Sequence, residues 1–215
     1  MGRLLRGGVI GVWFAGALCA CGGTQDNGGG GASGNASGAG GASGDLGTEF
    51  VGIYSLDEFT QNAAACTPGT DSLRDLLGDT HLVIQRGSIQ GYPVVTLASC
   101  AGTAACRELA PQLVTMPSAG NGLTHLFMRA EADGTLLGET IHYGTNSGTQ
   151  CSDAGVEHQV LNLQGAALAL ELRAHLTSYP VDSDGACTLN AATTHASEAP
   201  CSRLRILTGT FVEPL

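Results

Sequence analysis

From residue 49 to the end of the chain, apolar side chains recur at every second position, and this period restricts the fold more than any other feature. Stretches of such alternation bounded by Gly, Asn, Asp and Pro read as β-strands at 50–59, 81–85, 92–99, 123–130, 136–143, 157–163, 167–176 and 203–212. Residues 71–77 and 104–109 read as short helices, and 113–116 is either a ninth strand or loop. Asp133-Gly134 is a strong two-residue turn signal; pairing outward from it sets Ala130 opposite Leu137 and His125 opposite His142. Gln164-Gly165 is a weaker turn that sets Leu161 opposite Leu168 and His158 opposite Glu171, with Leu168, Leu170, Leu172 and Leu176 sharing the inward face.

The segment before residue 49 has a different character. Arg3 and Arg6 precede the apolar run Val9-Ile10-Gly11-Val12-Trp13-Phe14-Ala15-Gly16-Ala17-Leu18, which is too short to remain as a membrane span. Leu18-Cys19-Ala20-Cys21-Gly22 then resembles the bacterial lipobox. The resemblance implies a signal peptide over 1–20, lipidation of Cys21 and anchoring of the chain to a membrane through that lipid. Gly22 in place of Asp after the lipidated cysteine points to the outer membrane of the cell envelope. The alternative is an ordinary cleaved secretory signal. Residues 21–48 are Gly, Ser, Ala and Asn with almost nothing to bury, and read as a disordered tether of about 30 Å. Asn35-Ala36-Ser37 fits a glycosylation sequon, but in this setting it reads as linker composition. Residues 49–215 form one domain.

Removing residues 1–20 and lipidating Cys21 leaves six cysteines: Cys66, Cys100, Cys106, Cys151, Cys187 and Cys201. An even number in an oxidising compartment argues for three disulfides, and no C-x-x-C spacing suggests zinc or thiol exchange. Strand direction limits the pairing. With 113–116 as a strand, three cysteines fall at each end of the sheet, and a bridge cannot span a strand's length. With that segment as loop there are eight strands and all six cysteines share one end, with the long connections. The most local pairing is then Cys100 with Cys106 and Cys187 with Cys201, leaving Cys66 with Cys151. The expected fold is all-β, an eight-stranded antiparallel up-and-down barrel with its long, stapled loops at one end.

Phe50-Val51-Gly52-Ile53-Tyr54 in the first strand, with Arg203 and Arg205 in the last, resembles a lipocalin-type barrel. That family commonly carries Gly-x-Trp in its first strand, with a late arginine packed over the Trp; here Tyr54 stands at the Trp position. The resemblance implies a barrel interior able to hold a small ligand. The layout is also similar to that of uncharacterised, lysine-poor bacterial lipoproteins.

Several chemistries are closed. The chain has no lysine, so a Walker-type phosphate loop, a Schiff base and a Ser-Lys hydrolase are excluded. A formal charge of −10 argues against nucleic acid as a partner. Gly-x-Ser-x-Gly, His-Glu-x-x-His and Ser-x-x-Lys are absent, and Ser152, Asp153 and His158 are neighbours only in sequence, so no enzyme activity and no cofactor are expected. His125 and His142, if directly opposed, could share a metal ion, but no third ligand lies beside them and a solvated surface pair is the leading reading. Asp182-Ser183-Asp184-Gly185 lacks the later Gly and Glu of a calcium loop and reads as a turn. Glu157 and Gln159 fall on the inward register of a leucine-lined strand and could orient a polar group. The expected function is therefore an envelope lipoprotein binding a small apolar or amphipathic ligand. The alternative is a filled barrel that contacts another envelope protein or coats the surface.

Overall fold

A computed structural model describes residues 46–120, 122–146, 148–183 and 185–215. A short 3-10 helix, Thr48–Phe50, leads into β1 (Gly52–Asn62), followed by β2 (Asp71–Ser72), α1 (Arg74–Leu77), β3 (His81–Ile89) and β4 (Tyr92–Cys100). Next come α2 (Thr103–Thr115), β5 (Thr124–Phe127), β6 (Arg129–Ala130), β7 (Leu136–His142), β8 (Thr145–Asn146) and β9 (Gln150–Gln164). The chain ends with β10 (Ala167–Pro180), α3 (Leu189–Glu198) and β11 (Arg203–Glu213). Leu46, which composition assigns to the tether, already packs against the core.

The strands form one antiparallel sheet in the order β5-β4-β3-β1-β11-β10-β9-β7-β6, with β2 and β8 as short additions on β1 and β9. The two ends of that order, β5 and β6, are separated only by Met128, whose N–H donates to Leu137 O at 3.2 Å, so the sheet is a nearly closed barrel. At this seam Gly138 permits a close approach: a Cβ there would lie 2.3 Å from the Leu126 carbonyl oxygen, so only glycine lets the two backbones lie side by side.

The two hairpins form, each with a register different from that expected. Between β9 and β10, Gly165 takes a positive φ of 62°, which suits the first central residue of a tight turn. The turn is therefore Gly165-Ala166, with Gln164 opposite Ala167, and Leu161 faces Leu170 rather than Leu168. His158 accordingly lies opposite Arg173, not Glu171. A shift of two leaves every side chain on its expected face; Leu168, Leu170 and Leu172 are all buried. At the other hairpin, Asp133 Oδ1 accepts from Thr135 N at 3.0 Å and Glu131 N donates to Thr135 O at 2.8 Å, which lengthens the loop. Ala130 then pairs with Leu136, a one-residue offset from the expected partner Leu137.

The segment 113–116 is neither strand nor loop at its start, because α2 runs on to Thr115. Cys106, Ala110 and Leu113 are its buried residues, spaced at i, i+4 and i+7, and they pack against Ile53, Val83 and Ala98 on the outer face of the sheet. Helix α3 was not expected. Its Thr188 cap accepts from Ala191 N at 3.4 Å, and only Ala192 and Ala196 are buried, a stripe too weakly apolar to register in the sequence.

Three disulfides staple the end that carries the long connections: Cys66–Cys201, Cys100–Cys106 and Cys151–Cys187. The expected Cys66–Cys151 and Cys187–Cys201 pairs are thus corrected. The ten-residue α3, about 15 Å long, intervenes between Cys187 and Cys201. Pairing of Asn62 with Leu204 instead brings Cys66 and Cys201 to a Cα separation of 5.7 Å, while pairing of Tyr179 with Cys151 places Cys151 beside the loop that carries Cys187. Among the described residues no helix is long and apolar enough to cross a membrane.

Candidate functional site

The interior of the barrel is layered, and the layers follow from strand registers. Leu136, Leu161, Leu170, Leu207 and Phe59 are successive partners across β7, β9, β10, β11 and β1, and all five are buried in one cluster. Each such side chain contributes about 1.5–3 kcal/mol by leaving water. Two residues nearer the stapled end, the row becomes Gly138, Gln159, Leu172, Arg205 and Gln61. The next row is Thr140, Glu157, Ala174 and Arg203. β9, β11 and β1 thus turn from apolar to polar inward residues at the same height and β7 follows one row later at Thr140, while β10 stays apolar with Leu172 and Ala174.

Small residues give the polar groups room to meet. Ala174 of β10 separates Glu157 from Arg203 in the last row, and its short side chain lets the two reach across it. Arg205 Nη2 donates to Glu157 Oε2 at 2.5 Å, and Arg203 Nη2 lies 3.6 Å from the same oxygen. Glu157 is 2 % exposed, whereas the side chains of Arg205 and Arg203 keep 20 % and 27 %. Gln159 donates through Nε2 to Thr140 Oγ1 at 2.5 Å, while its Oε1 lies in space that a side chain at Gly138 would fill.

His125 and His142 join this layer. His125 lies opposite Leu97 on the inner face of β5 and is 6 % exposed, so the expected solvated pair is corrected. Its pKa is pushed down to about 4, first by burial and also by Arg205, against the opposing pull of Glu157 and Gln159. Neither ring nitrogen makes a hydrogen bond of ordinary geometry, although the Gln159 amide is close. His142 is half-buried and its pKa is lowered, chiefly by burial and also by Arg203 and Arg205, with Glu157 and Asp153 opposing. Among the described residues the buried polar atoms His125 Nδ1 and Nε2, His142 Nε2, Gln159 Oε1, Arg203 Nε and Arg205 Nε have no hydrogen-bond partner. Buried polar groups are ordinarily paired, so several orphans in one layer mark a place built to meet something else. Both histidines are neutral near pH 7, leaving two guanidinium charges against one carboxylate.

The other candidates fall elsewhere. His158 is exposed on the outer face, 3.5 Å from Glu139 and edge-on to His175. Among the described residues no three His, Cys, Asp or Glu side chains could hold a metal ion together. Asp182 caps a plain turn, its Oδ1 accepting from Ala186 N at 2.8 Å; Asp184 lies outside the described residues, as do Cys21 and the signal segment 1–20. Tyr54, at the position of the lipocalin Trp, packs edge-on against Phe211 with ring centroids 5.6 Å apart. Arg205 sits opposite Gln61, seven residues further along β1 and about 20 Å away, and both late arginines are directed at Glu157 instead. A separate cleft of about 410 Å³ lies between α1, α2 and the end of β4, but its polar groups are satisfied: Ser99 Oγ donates to Asp79 Oδ2 and accepts from Leu123 N.

Sequence reasoning places Glu157 and Gln159 in the interior but misses their partners. The available signal was the matched change from leucine to polar residues on two strands, from Leu161 to Gln159 and Glu157 and from Leu207 to Arg205 and Arg203. No family model, no curated protein and no solved structure matches this chain.

Proposed function

We propose that this chain is a lipid-anchored envelope lipoprotein that binds a small ligand in the stapled mouth of a lipocalin-like barrel. Its sequence supports the anchor through the lipobox at Leu18-Cys19-Ala20-Cys21 and the glycine-rich tether that follows. The eight-stranded reading is supported by treating β5 and β6 as one strand interrupted at Met128, and β2 and β8 as two-residue additions. The observation that carries the binding reading is the buried layer of unpaired polar atoms around Glu157 and Arg205. Packed leucines beneath that layer direct the reading toward a ligand held at the mouth rather than an apolar one buried deep in the barrel.

The same packed apolar layer favours a second reading, in which the barrel is a filled scaffold and its loops contact an envelope protein. Native mass spectrometry of the full chain, purified from an oxidising compartment in mild detergent, separates the two. An added mass lost on denaturation supports the ligand reading; the bare chain mass supports the scaffold. Palmitate labelling that disappears in Cys21→Ser tests the anchor, and labelling that persists would contradict it.

A further inference from the structure

The charge of the mouth layer is unbalanced. Arg203 and Arg205 converge on Glu157, and among the described residues no second carboxylate pairs with them: Asp153, the other acid that acts on His142, is exposed. A partly buried cation without a counter-ion is unfavourable in a low-dielectric interior, and an anion from solution relieves it. We propose that this layer is a binding site for a small hydrophilic oxyanion, a carboxylate or phosphate group carried by a compact molecule. The proposal rests on the ligand-binding reading above and names its ligand class.

The residues supply what such a group requires. Arg203 Nε and Arg205 Nε are unused donors on side chains that retain some exposure, and guanidinium matches an oxyanion in charge and fork geometry. Neutral His125 and His142 each offer one ring N–H to an anion, and among the described residues no hydrogen bond of ordinary geometry occupies His125 Nδ1, His125 Nε2 or His142 Nε2, Gln159 being the polar side chain beside His125. Size is limited by what lies below. Leu161, Leu170, Leu207 and Phe59 are buried against one another directly beneath the Gln159 and Arg205 row, which leaves an alkyl tail no route inward. Glu157 sets the affinity: it neutralises one guanidinium, so the site presents one net positive charge rather than two.

The test titrates the full chain with sodium acetate and, separately, sodium phosphate at constant ionic strength held by chloride. The readouts are the histidine ring NMR signals and thermal stability. Saturable movement of the His125 and His142 signals is expected, weakened about tenfold or more in Arg203→Gln, which keeps the shorter Arg205–Glu157 contact. Glu157→Gln removes the competing carboxylate, so it is expected to bind tighter and to regain thermal stability on adding acetate or phosphate. Should Glu157→Gln fail to fold, the wild-type and Arg203→Gln titrations still decide. Shifts equal to those produced by chloride, or saturable binding unchanged in Arg203→Gln, would overturn the proposal. If the chain carries a neutral ligand in native mass spectrometry and ignores both anions, the binding reading stands and this inference falls; no ligand and no anion response ends both.

Discussion

Arg205 Nη2 donates to Glu157 Oε2 at 2.5 Å inside the barrel, joining β11 to β9 across the intervening strand β10. This contact neutralises a carboxylate that is otherwise shut away from water. Arg205→Met leaves Glu157 with only Arg203, at 3.6 Å, and is expected to destabilise the fold by about 3 kcal/mol. The double variant Glu157→Leu with Arg205→Met removes both charges and is expected to recover most of that loss, as read by urea denaturation. Equal losses in the single and double variants would show that the pair contributes through packing alone.

How far the site could be read from the sequence follows from what alternation records. The period of two marks which residues face inward, so Glu157, Gln159, Leu168, Leu170 and Leu172 are placed correctly even though their hairpin register is off by two. It does not mark which strands become neighbours, and the partnership of Glu157 with Arg203 and Arg205 depends on β10 lying between β9 and β11 with Ala174 at the crossing. His125 was misplaced for a different reason: it alternates with the apolar Leu126 and Met128, which mark the opposite face as the core, whereas Met128 is exposed and His125 shares the inner face with Phe127. Of the expected disulfides Cys100–Cys106 forms, whereas the other two pairs exchange partners because α3 stands between Cys187 and Cys201, and the alanine and threonine content of that helix gives little amphipathic signal.

Acid is expected to weaken the fold through His125. Its pKa in the folded chain is lowered to about 4 from 6.5, so between those values the unfolded chain binds the proton more readily. Stability contributed by the neutral ring is therefore complete above about pH 6.5 and is lost as pH falls toward 4, by roughly 3 kcal/mol in all. The groups acting on it are Glu157, Arg205 and Gln159. Denaturation midpoints measured across this window are expected to fall in the wild type and to be flatter in His125→Leu. An unchanged slope in the variant would move the effect to other groups.

Disulfide connectivity is checked by peptide mapping without reduction, which is expected to yield Cys66–Cys201 and Cys151–Cys187 peptides. The stabilities are also ordered. Cys66–Cys201 closes a separation of 135 residues, Cys151–Cys187 one of 36 and Cys100–Cys106 one of 6. Loop-closure entropy then assigns them about 5, 4 and 2 kcal/mol respectively. Paired Cys→Ala variants should lose stability in that order; recovery of a Cys66–Cys151 peptide would contradict the β1–β11 register at the stapled end.

Gly138→Ala tests the seam. The added methyl would meet the Leu126 carbonyl at 2.3 Å and Gln159 Oε1 at 2.9 Å, so β5 and β7 must part. A loss of about 2 kcal/mol or more is expected, together with faster hydrogen exchange at the Met128 amide, which bonds to Leu137 O. Wild-type exchange at Met128 in the variant would mean that the seam accommodates a side chain.

The central claim is that the polar layer beneath the stapled loops receives a ligand, and a high-resolution crystal structure of the full chain, grown without carboxylate, phosphate or sulfate salts, tests it most directly. The account predicts non-protein density in contact with Arg203 and Arg205 and within hydrogen-bonding reach of His125 or His142. Ordered water alone at those nitrogens, with Arg203 and Arg205 fully bonded to protein oxygens, would contradict it.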